Sequence, residues 1–300
     1  MSSAAGPTVA VVIVSHNSAA DLKLLLPLLD DPRLEVIVVD NASTDDSAAV
    51  AERPRVRLDR LADNVGWPRG CNHGARRTQA GVLAFVNPDA RPSADQLVTL
   101  ASRLTDGVGT VSPHFVDEAG RTQAFYFRFP TLFAGLFCFL QGGQRLDVLL
   151  GSRFIRHRTY DAAAQLPGAV DQPGGACLLM QRATFTACGG FDEELFLYFA
   201  DTTLARQVHD RGLRNDVAWD VPVVHAGGTS VFQNPVRWVH RNVQRDYLRY
   251  VRRWHGRAAH TAMVAAVLLL TGVVPAVLRV LRGQPRAALD QLRLAREVVR

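Results

Sequence analysis

Three short apolar runs in the first ninety residues each end in side chains able to do chemistry. Val9–Val14 leads into Ser15-His16-Asn17, Leu34–Val39 into Asp40-Asn41, and Val82–Val86 into Asn87-Pro88-Asp89. Any one of these endings would pass for an ordinary loop, since Pro fixes φ and Asn and Asp suit turns. Three together, at the ends of runs that read as neighbouring strands, converge on one polar edge. No G-x-G-x-x-G follows the first run and no G-x-x-x-x-G-K-[ST] occurs anywhere, so a bound phosphate would lack a backbone cradle and would need a cation. Asp89 offers the carboxylate oxygen that hard cations prefer, and Mg²⁺ or Mn²⁺ held there would neutralise diphosphate oxygens. A single carboxylate leaves the remaining coordination to phosphate oxygens, water and one further protein ligand. Asp40, ending another strand, suits accepting an N–H from a nucleotide base.

The elements that must position these groups follow from the apolar pattern. The three runs are β-branched without polar alternation, as parallel strands covered on both faces are. Ser18–Leu29 reads as a helix capped by Asn17 or Ser18. After Asp40, "DNASTDDSAAVAE" gives a turn, a cap with acids in the first turn and a second helix. Ala94–Leu104 is the next. This βαβαβ rhythm predicts a doubly wound α/β sheet whose ligand crevice lies at the carboxyl ends of its strands. Residues 113–172 give no clear period, and their aromatic stretch, "FYFRFPTLFAGLFCFL", reads equally as core or as an exposed apolar lip. Regularity resumes with Cys177–Gln181, a helix closed by Gly212, and the strand and glycine-rich loop of "VAWDVPVVHAGGTS".

At 48% hydrophobic and 21% charged residues the chain is globular rather than disordered. Cys71, Cys138, Cys177 and Cys188 have neither CxxC nor zinc-like spacing, and the N-terminus lacks the basic region of a signal peptide. A reduced intracellular protein is expected. The charge is uneven. Residues 237–300 hold thirteen arginines against three acids, +10, so the preceding 236 residues carry −4 of the net +6. A mildly acidic body thus carries a basic tail that seeks something anionic.

In order, "VVIVSHNS", "VIVVDNASTDDS", "DNVGWPRGCNHG", "LAFVNPDARP", "GGFDEELFLYFADTTLARQ" and "VVHAGGTS" resemble the motifs of the family-two inverting glycosyltransferases, and within them those of the bacterial rhamnosyltransferases. The resemblance spans residues 8–232. It implies a GT-A nucleotide-diphospho-sugar transferase fold, a Rossmann-like doubly wound mixed sheet occupying residues 1–235, followed by a helical extension over 236–300. It also implies roles. Asp40 would bond the pyrimidine base with Ser15 and Asn17 lining the same pocket, and Gly66 would lie near the nucleotide. Asn87-Pro88-Asp89 stands in the place of the family's Asp-x-Asp, Asn87 replacing the first Asp and Asp89 binding the metal, while His225 resembles a histidine that completes the metal shell. Asp201 aligns with the catalytic base, although Ala200 and Thr203 replace the two acids expected beside it. A base must be ionised near the acceptor hydroxyl, and the dipole of the helix it opens would help. The plainer roles are a structural histidine at 225 and a helix N-cap at 201.

The implied reaction is one displacement at the anomeric carbon with inversion. The donor expected is dTDP-L-rhamnose and the acceptor a hydroxyl of a cell-envelope glycan or polyprenyl-linked lipid. Another nucleotide sugar (a UDP-sugar, of galactofuranosyl or glucosyl type) is a same-class alternative. A catalytically weakened nucleotide-sugar-binding protein is the alternative that Ala200 and Thr203 suggest, and a nucleotide-binding adaptor held at the membrane is a third.

The tail has its own pattern. Val239, Val243, Tyr247 and Val251 recur every fourth residue, and Arg241, Arg245, Arg249 and Arg253 recur two residues out of phase, on the opposite helix face. With Trp238, Tyr250 and Trp254 this reads as a membrane-surface helix. Thr261–Leu278 carries no charge and approaches the ~20 residues that cross a bilayer. Gly272 and Pro275 interrupt it, predicting a re-entrant or interfacial hairpin, with a span or a homodimerisation helix as alternatives. No recognition motif accompanies the arginines, so nucleic acid is not expected. The placement implied is the cytoplasmic face of the cell membrane, peripheral or monotopic.

Overall fold

The computed structural model describes residues 9–123, 126–132, 169–227 and 236–299. They form two compact units. The first holds residues 9–123, 126–128, 169–196 and 200–227, the second 129–132, 197–199 and 236–299.

The first unit is a mixed sheet with helices. β1 (Val9–Ser15), β2 (Leu34–Asp40), β3 (Val56–Arg60) and β4 (Val82–Val86) are parallel neighbours, linked in sequence by α1 (Ala19–Leu25), α2 (Ser47–Ala51) and α3 (Trp67–Ala75). After β5 (Ala90–Arg91) and α4 (Ala94–Ser102), β6 (Val108–Val116) begins the other half. It is completed by β7 (Ala169–Val170), β8 (Cys177–Gln181) and β9 (Arg214–His225), with α5 (Arg182–Ala187) and α6 (Ala200–His209) between the last two. The strand order is β3-β2-β1-β4-β8-β6-β9-β5, and β7 pairs with β9. β8 runs antiparallel to both β4 and β6, so it joins the parallel βαβ half to the rest. β1, β2 and β4 bury nearly every side chain, which is why they read as unbroken apolar runs. Each fully buried Val, Leu or Ile there contributes roughly 1.5–3 kcal/mol. Helix α4 starts on a capping box in which Ser93 and Gln96 bond each other's backbone N–H groups. The predicted α/β order holds, and the structure adds β3, α3 and β6 between the elements legible in sequence. Tyr126, at the start of the aromatic stretch, is core: its hydroxyl accepts from Phe115 N–H and donates to the Pro113 carbonyl. Residues 133–140 of that stretch, together with Cys138, lie outside the described residues; Cys71, Cys177 and Cys188 are free and buried.

The second unit is helical. α7 (Val236–Trp254) precedes a long helix, Gly256–Leu281, made of α8 (Gly256–Val267), a π-wound turn over Leu268–Val273, and α9 (Val274–Leu281). α10 (Pro285–Val299) folds back along it. The interruption expected at Gly272 and Pro275 does not occur. Pro275 has no N–H to give the Thr271 carbonyl four residues earlier, and its ring would crowd that carbonyl. The π turn widens the helix at that point, and Gln291 of α10 donates to the Thr271 oxygen instead, at 2.6 Å. A Cβ on Gly272 would lie 2.8 Å from the Ala295 Cβ, so only glycine lets α10 pack so closely. The chain reverses instead at Arg282–Gln284, where Gly283 has φ 72°.

The expected lipid-facing stripe of α7 is also placed differently. Tyr247, Leu248, Tyr250 and Val251 are at most 3% exposed, Tyr247 bonds the Thr131 and Leu132 carbonyls, and Phe199 packs on both tyrosines. Asp246, fully buried, accepts the Leu197 and Tyr198 N–H groups at 3.0 Å each. Much of the apolar face of α7 is therefore taken up by protein. The exposed apolar surface belongs to the long helix, from Leu269 to Leu281, the last 78% exposed.

Candidate active site

The polar edge predicted from the strand ends is present. Parallel pairing sets Ser15 opposite Asp40 in adjacent strands, and β4, on the other side of β1, ends at Asn87-Pro88-Asp89. Two buried atoms at this edge have no hydrogen-bond partner among the described residues: Ser15 Oγ and Asp40 Oδ1. A buried acceptor left unpaired costs about 1–3 kcal/mol, and a ligand N–H or O–H would relieve it. Asn41 ties the next loop to this edge. Its side chain donates to Asn64 Oδ1 and accepts from the Val65 N–H, both at 2.9 Å. Gly66 follows with φ 87°, and a Cβ there would sit 2.5 Å from the Phe196 carbonyl oxygen, so the loop requires glycine. Asn17, also at positive φ, accepts from the Thr44 N–H at 2.8 Å. Its amide oxygen thus holds the loop after β2, and the amide NH₂ remains to line a pocket.

On the other side of β4, the Asp89 and His225 side chains converge. β5 pairs with the end of β9, Ala90 opposite His225, and Ala226 N–H donates to the Asp89 carbonyl. Asp89 Oδ1 lies 3.5 Å from His225 Nε2, with the side chains 9% and 6% exposed. Gln123 was not singled out in the sequence, yet it orients this histidine. Its amide NH₂ donates to the His225 backbone carbonyl at 2.9 Å, which turns its oxygen toward Nδ1 at 3.1 Å. Nδ1 therefore donates to Gln123, and Nε2 points at the Asp89 carboxylate. A carboxylate oxygen and an imidazole nitrogen brought this close are a donor set that suits a divalent cation. No group of three or more His, Cys, Asp or Glu side chains able to share a metal occurs among the described residues. These two side chains would leave the other positions to phosphate and water, as the sequence implied. Asp21 of α1 reaches the same corner: burial and the Asp89 charge raise its carboxyl, while Arg91 lowers it.

Asp201 sits in the first turn of α6, one residue inside the helix rather than capping it. The carboxylate accepts from the Thr202 N–H at 2.7 Å and from the Gln172 amide at 3.3 Å. Burial pushes its carboxyl above the ordinary 3.8, and those hydrogen bonds pull it back only in part. The expected help from the helix dipole is thus outweighed by desolvation, while the side chain keeps a partly accessible edge. Gly175, before β8, makes room for it: a Cβ there would lie 2.8 Å from the Asp201 Cβ and Oδ2. The next residue, Ala176, accepts the Asn87 N–H at 2.8 Å. Two successive residues thus link the candidate base to the Asn87-Pro88-Asp89 turn. Gly175 and Gln172 carry no chemistry of their own that sequence could flag; the Gly174-Gly175 pair before a strand was the available signal.

The chain is similar to known proteins. The chain is 26% identical over 270 residues to an N-acetylglucosaminyl-diphospho-decaprenol L-rhamnosyltransferase of Mycobacterium tuberculosis, covering 82% of this chain and 85% of that protein. Among solved structures it resembles the mannosyltransferase PcManGT of Pyrobaculum calidifontis in complex with GDP-Man and Mn²⁺. That likeness has a TM-score of 0.57 at 18% identity and covers 97% of this chain and 86% of the other. It also resembles the glucosyl-3-phosphoglycerate synthase of Mycobacterium tuberculosis with Mn²⁺, UDP and glucosyl-3-phosphoglycerate, with a TM-score of 0.52 at 15% identity over 84% and 81% of the two chains. These likenesses establish the expected GT-A fold. The model of the family described as "Glycosyl transferase family 2" matches residues 10–161, just over half the chain and the whole βαβ half of the sheet, so the protein belongs to that glycosyltransferase family.

Proposed function

We propose that the protein is an inverting rhamnosyltransferase that moves L-rhamnose from dTDP-rhamnose to a hydroxyl of a polyprenyl-linked or other cell-envelope glycan. The observation that carries the transfer chemistry is the facing of Asp89 Oδ1 and His225 Nε2 across 3.5 Å at the strand ends. The donor and acceptor rest on the name of the mycobacterial relative, an L-rhamnosyltransferase of a decaprenol-linked sugar. Asp40 and Ser15, with their unpaired oxygens, accept from and donate to the nucleobase; Asn17, Gly66 and Asn87 shape the nucleotide pocket. Asp89 and His225 hold a divalent cation, Mn²⁺ or Mg²⁺, which when bound offsets the negative charge of the diphosphate. Asp201 takes the proton from the acceptor hydroxyl, whose oxygen attacks the anomeric carbon opposite the diphosphate; the bond from that carbon to the diphosphate oxygen breaks and dTDP leaves with its electron pair. The desolvated carboxyl is a stronger base than an exposed aspartate, as proton abstraction requires.

The C-terminal unit supports a position on a membrane. The long helix, 26 residues and ~39 Å at 1.5 Å per residue, is long and apolar enough to cross a bilayer. However, the charged helix α10 packs against its middle, through Ala295 on Gly272 and Gln291 on Thr271. Crossing would carry Asp290, Arg293, Arg296 and Glu297 toward hydrocarbon. Lying in the interface keeps those charges wet while Leu269 to Leu281 enter the lipid. A monotopic enzyme on the cytoplasmic face, where nucleotide sugars are available, fits both.

The test is a screen of nucleotide sugars with Mn²⁺, Mg²⁺ or EDTA, reading release of nucleoside diphosphate in the presence of a prenyl-diphosphate-linked amino sugar. The proposal expects release from dTDP-rhamnose that EDTA abolishes. Turnover of a UDP-sugar in preference would overturn the donor, and binding without release from any donor would favour a non-catalytic sugar-nucleotide carrier.

A further inference from the structure

Within the helical unit, α7, the π turn, α9 and α10 line a half-open cavity of about 340 Å³. One side is cationic. Arg241 of α7 and Arg279 of α9 supply the charge, and Leu294, Ala295 and Val298 of α10 form apolar wall. Its charges are only partly spent. Arg241 pairs with Glu297 at 3.3 Å, both side chains about half exposed, where an ion pair is weak. Arg279 makes one long contact, 3.5 Å to the Ala287 carbonyl, and no ion pair among the described residues. Two guanidiniums brought together from different helices, against one carboxylate, leave a net positive recess.

We propose that this cavity binds the phosphate headgroup of an anionic lipid. Guanidinium forks match phosphate oxygens in geometry and charge, and basic recesses between membrane-associated helices are suited to anionic headgroups. The apolar wall argues against free phosphate, because it gives a hydrocarbon stem somewhere to lie. The same α9 that supplies Arg279 exposes Val277, Leu278, Val280 and Leu281, so headgroup and chain would meet one helix. Two lipids carry this chemistry, a bulk anionic phospholipid and a prenyl phosphate, and the test separates them. The proposal is independent of sugar transfer and stands or falls without any turnover.

The full-length protein in mild detergent is examined by native mass spectrometry with phosphatidylglycerol, phosphatidylcholine, a polyprenyl phosphate or inorganic phosphate added singly. One retained anionic lipid per chain is expected. Arg241→Gln and Arg279→Gln should each loosen it by roughly tenfold or more, as loss of a charge-assisted contact does. Arg252→Gln, which removes an exposed charge of α7 outside the cavity, should not. Tighter retention of the prenyl phosphate assigns the cavity to a prenyl-linked ligand, and tighter retention of phosphatidylglycerol assigns it to the membrane itself. Equal retention of phosphatidylcholine, equal loosening by Arg252→Gln, inorganic phosphate binding as tightly as lipid, or no retained lipid in protein of unchanged circular dichroism would each overturn it.

Discussion

The sheet unit and the helical unit use the same residue types to opposite ends. Among the described residues of the sheet unit, apolar side chains are inside and only Leu24 and Leu28 stand out as exposed large hydrophobics; among those of the helical unit there are nine, between Leu269 and Leu281 and at Leu289. Carboxylates differ as well. Asp40 and Asp89 lie at the strand ends, Asp40 with an oxygen that no described residue meets and Asp89 facing His225. Asp246, the buried acid of the helices, instead accepts two backbone N–H groups with one oxygen and pairs with Arg249 at 3.5 Å with the other. The lesson is that a buried carboxylate with an unmatched oxygen signals a ligand, while one met by backbone and a neighbouring arginine signals architecture. Chemistry and anchoring should therefore be separable by mutation.

The largest expected effect is at Asp201. Asp201→Asn should cut transfer by about 10²–10⁴-fold while leaving nucleotide binding and membrane partition intact. For the same reason the acid limb of the pH–rate profile should fall above pH 3.8, because burial raises the carboxyl. An acid limb at the ordinary carboxylate value would remove Asp201 from the mechanism. Next, Gln123→Leu should weaken Mn²⁺ affinity by roughly ten- to a hundredfold through misorientation of His225, read by titration with nucleoside diphosphate present. Asp40→Asn should weaken nucleotide binding by roughly tenfold, one charge-assisted hydrogen bond. On the other side of the comparison, Val277→Asp should lower vesicle partition by roughly tenfold or more, with turnover of a water-soluble acceptor unchanged. Loss of both together would show that the two units are not separable in function.

The smallest effect has the most informative sign. A carboxyl raised in the folded state contributes stability below its unfolded value, 3.8, and loses it as pH rises through the raised value. Neutral protein therefore carries Asp201 at a cost, and Asp201→Asn should raise the urea midpoint at pH 7 even as it abolishes transfer. A lower midpoint would mean that the carboxylate is structural.

What sequence revealed, and what it hid, follows the same division. β1, β2 and β4 were legible because both faces are buried and their runs are purely apolar. β3, "VRLDR", was not, because an edge strand alternates and half its side chains meet solvent. α3 contains Pro68, Gly70 and Gly74, poor helix formers, and β6 contains Gly109 and Pro113; in both, tertiary packing overrides local preference. The strand-end acids were visible as types at positions. Gln123 was not, since an amide gains its role only from the hydrogen bonds the fold gives it. Pro275 misled for a related reason: the donor that replaces its missing N–H, Gln291, comes from another helix.

The central claim is a cation shared by Asp89, His225 and a nucleoside diphosphate, and calorimetric titration of dTDP into wild type and Asp89→Ala, with Mn²⁺ or EDTA, tests it most directly. Wild type should bind dTDP at least tenfold more tightly with Mn²⁺ than with EDTA, and Asp89→Ala should erase that difference while its EDTA affinity is unchanged. Metal-independent binding in wild type, or a Mn²⁺ effect that survives in Asp89→Ala, would contradict it.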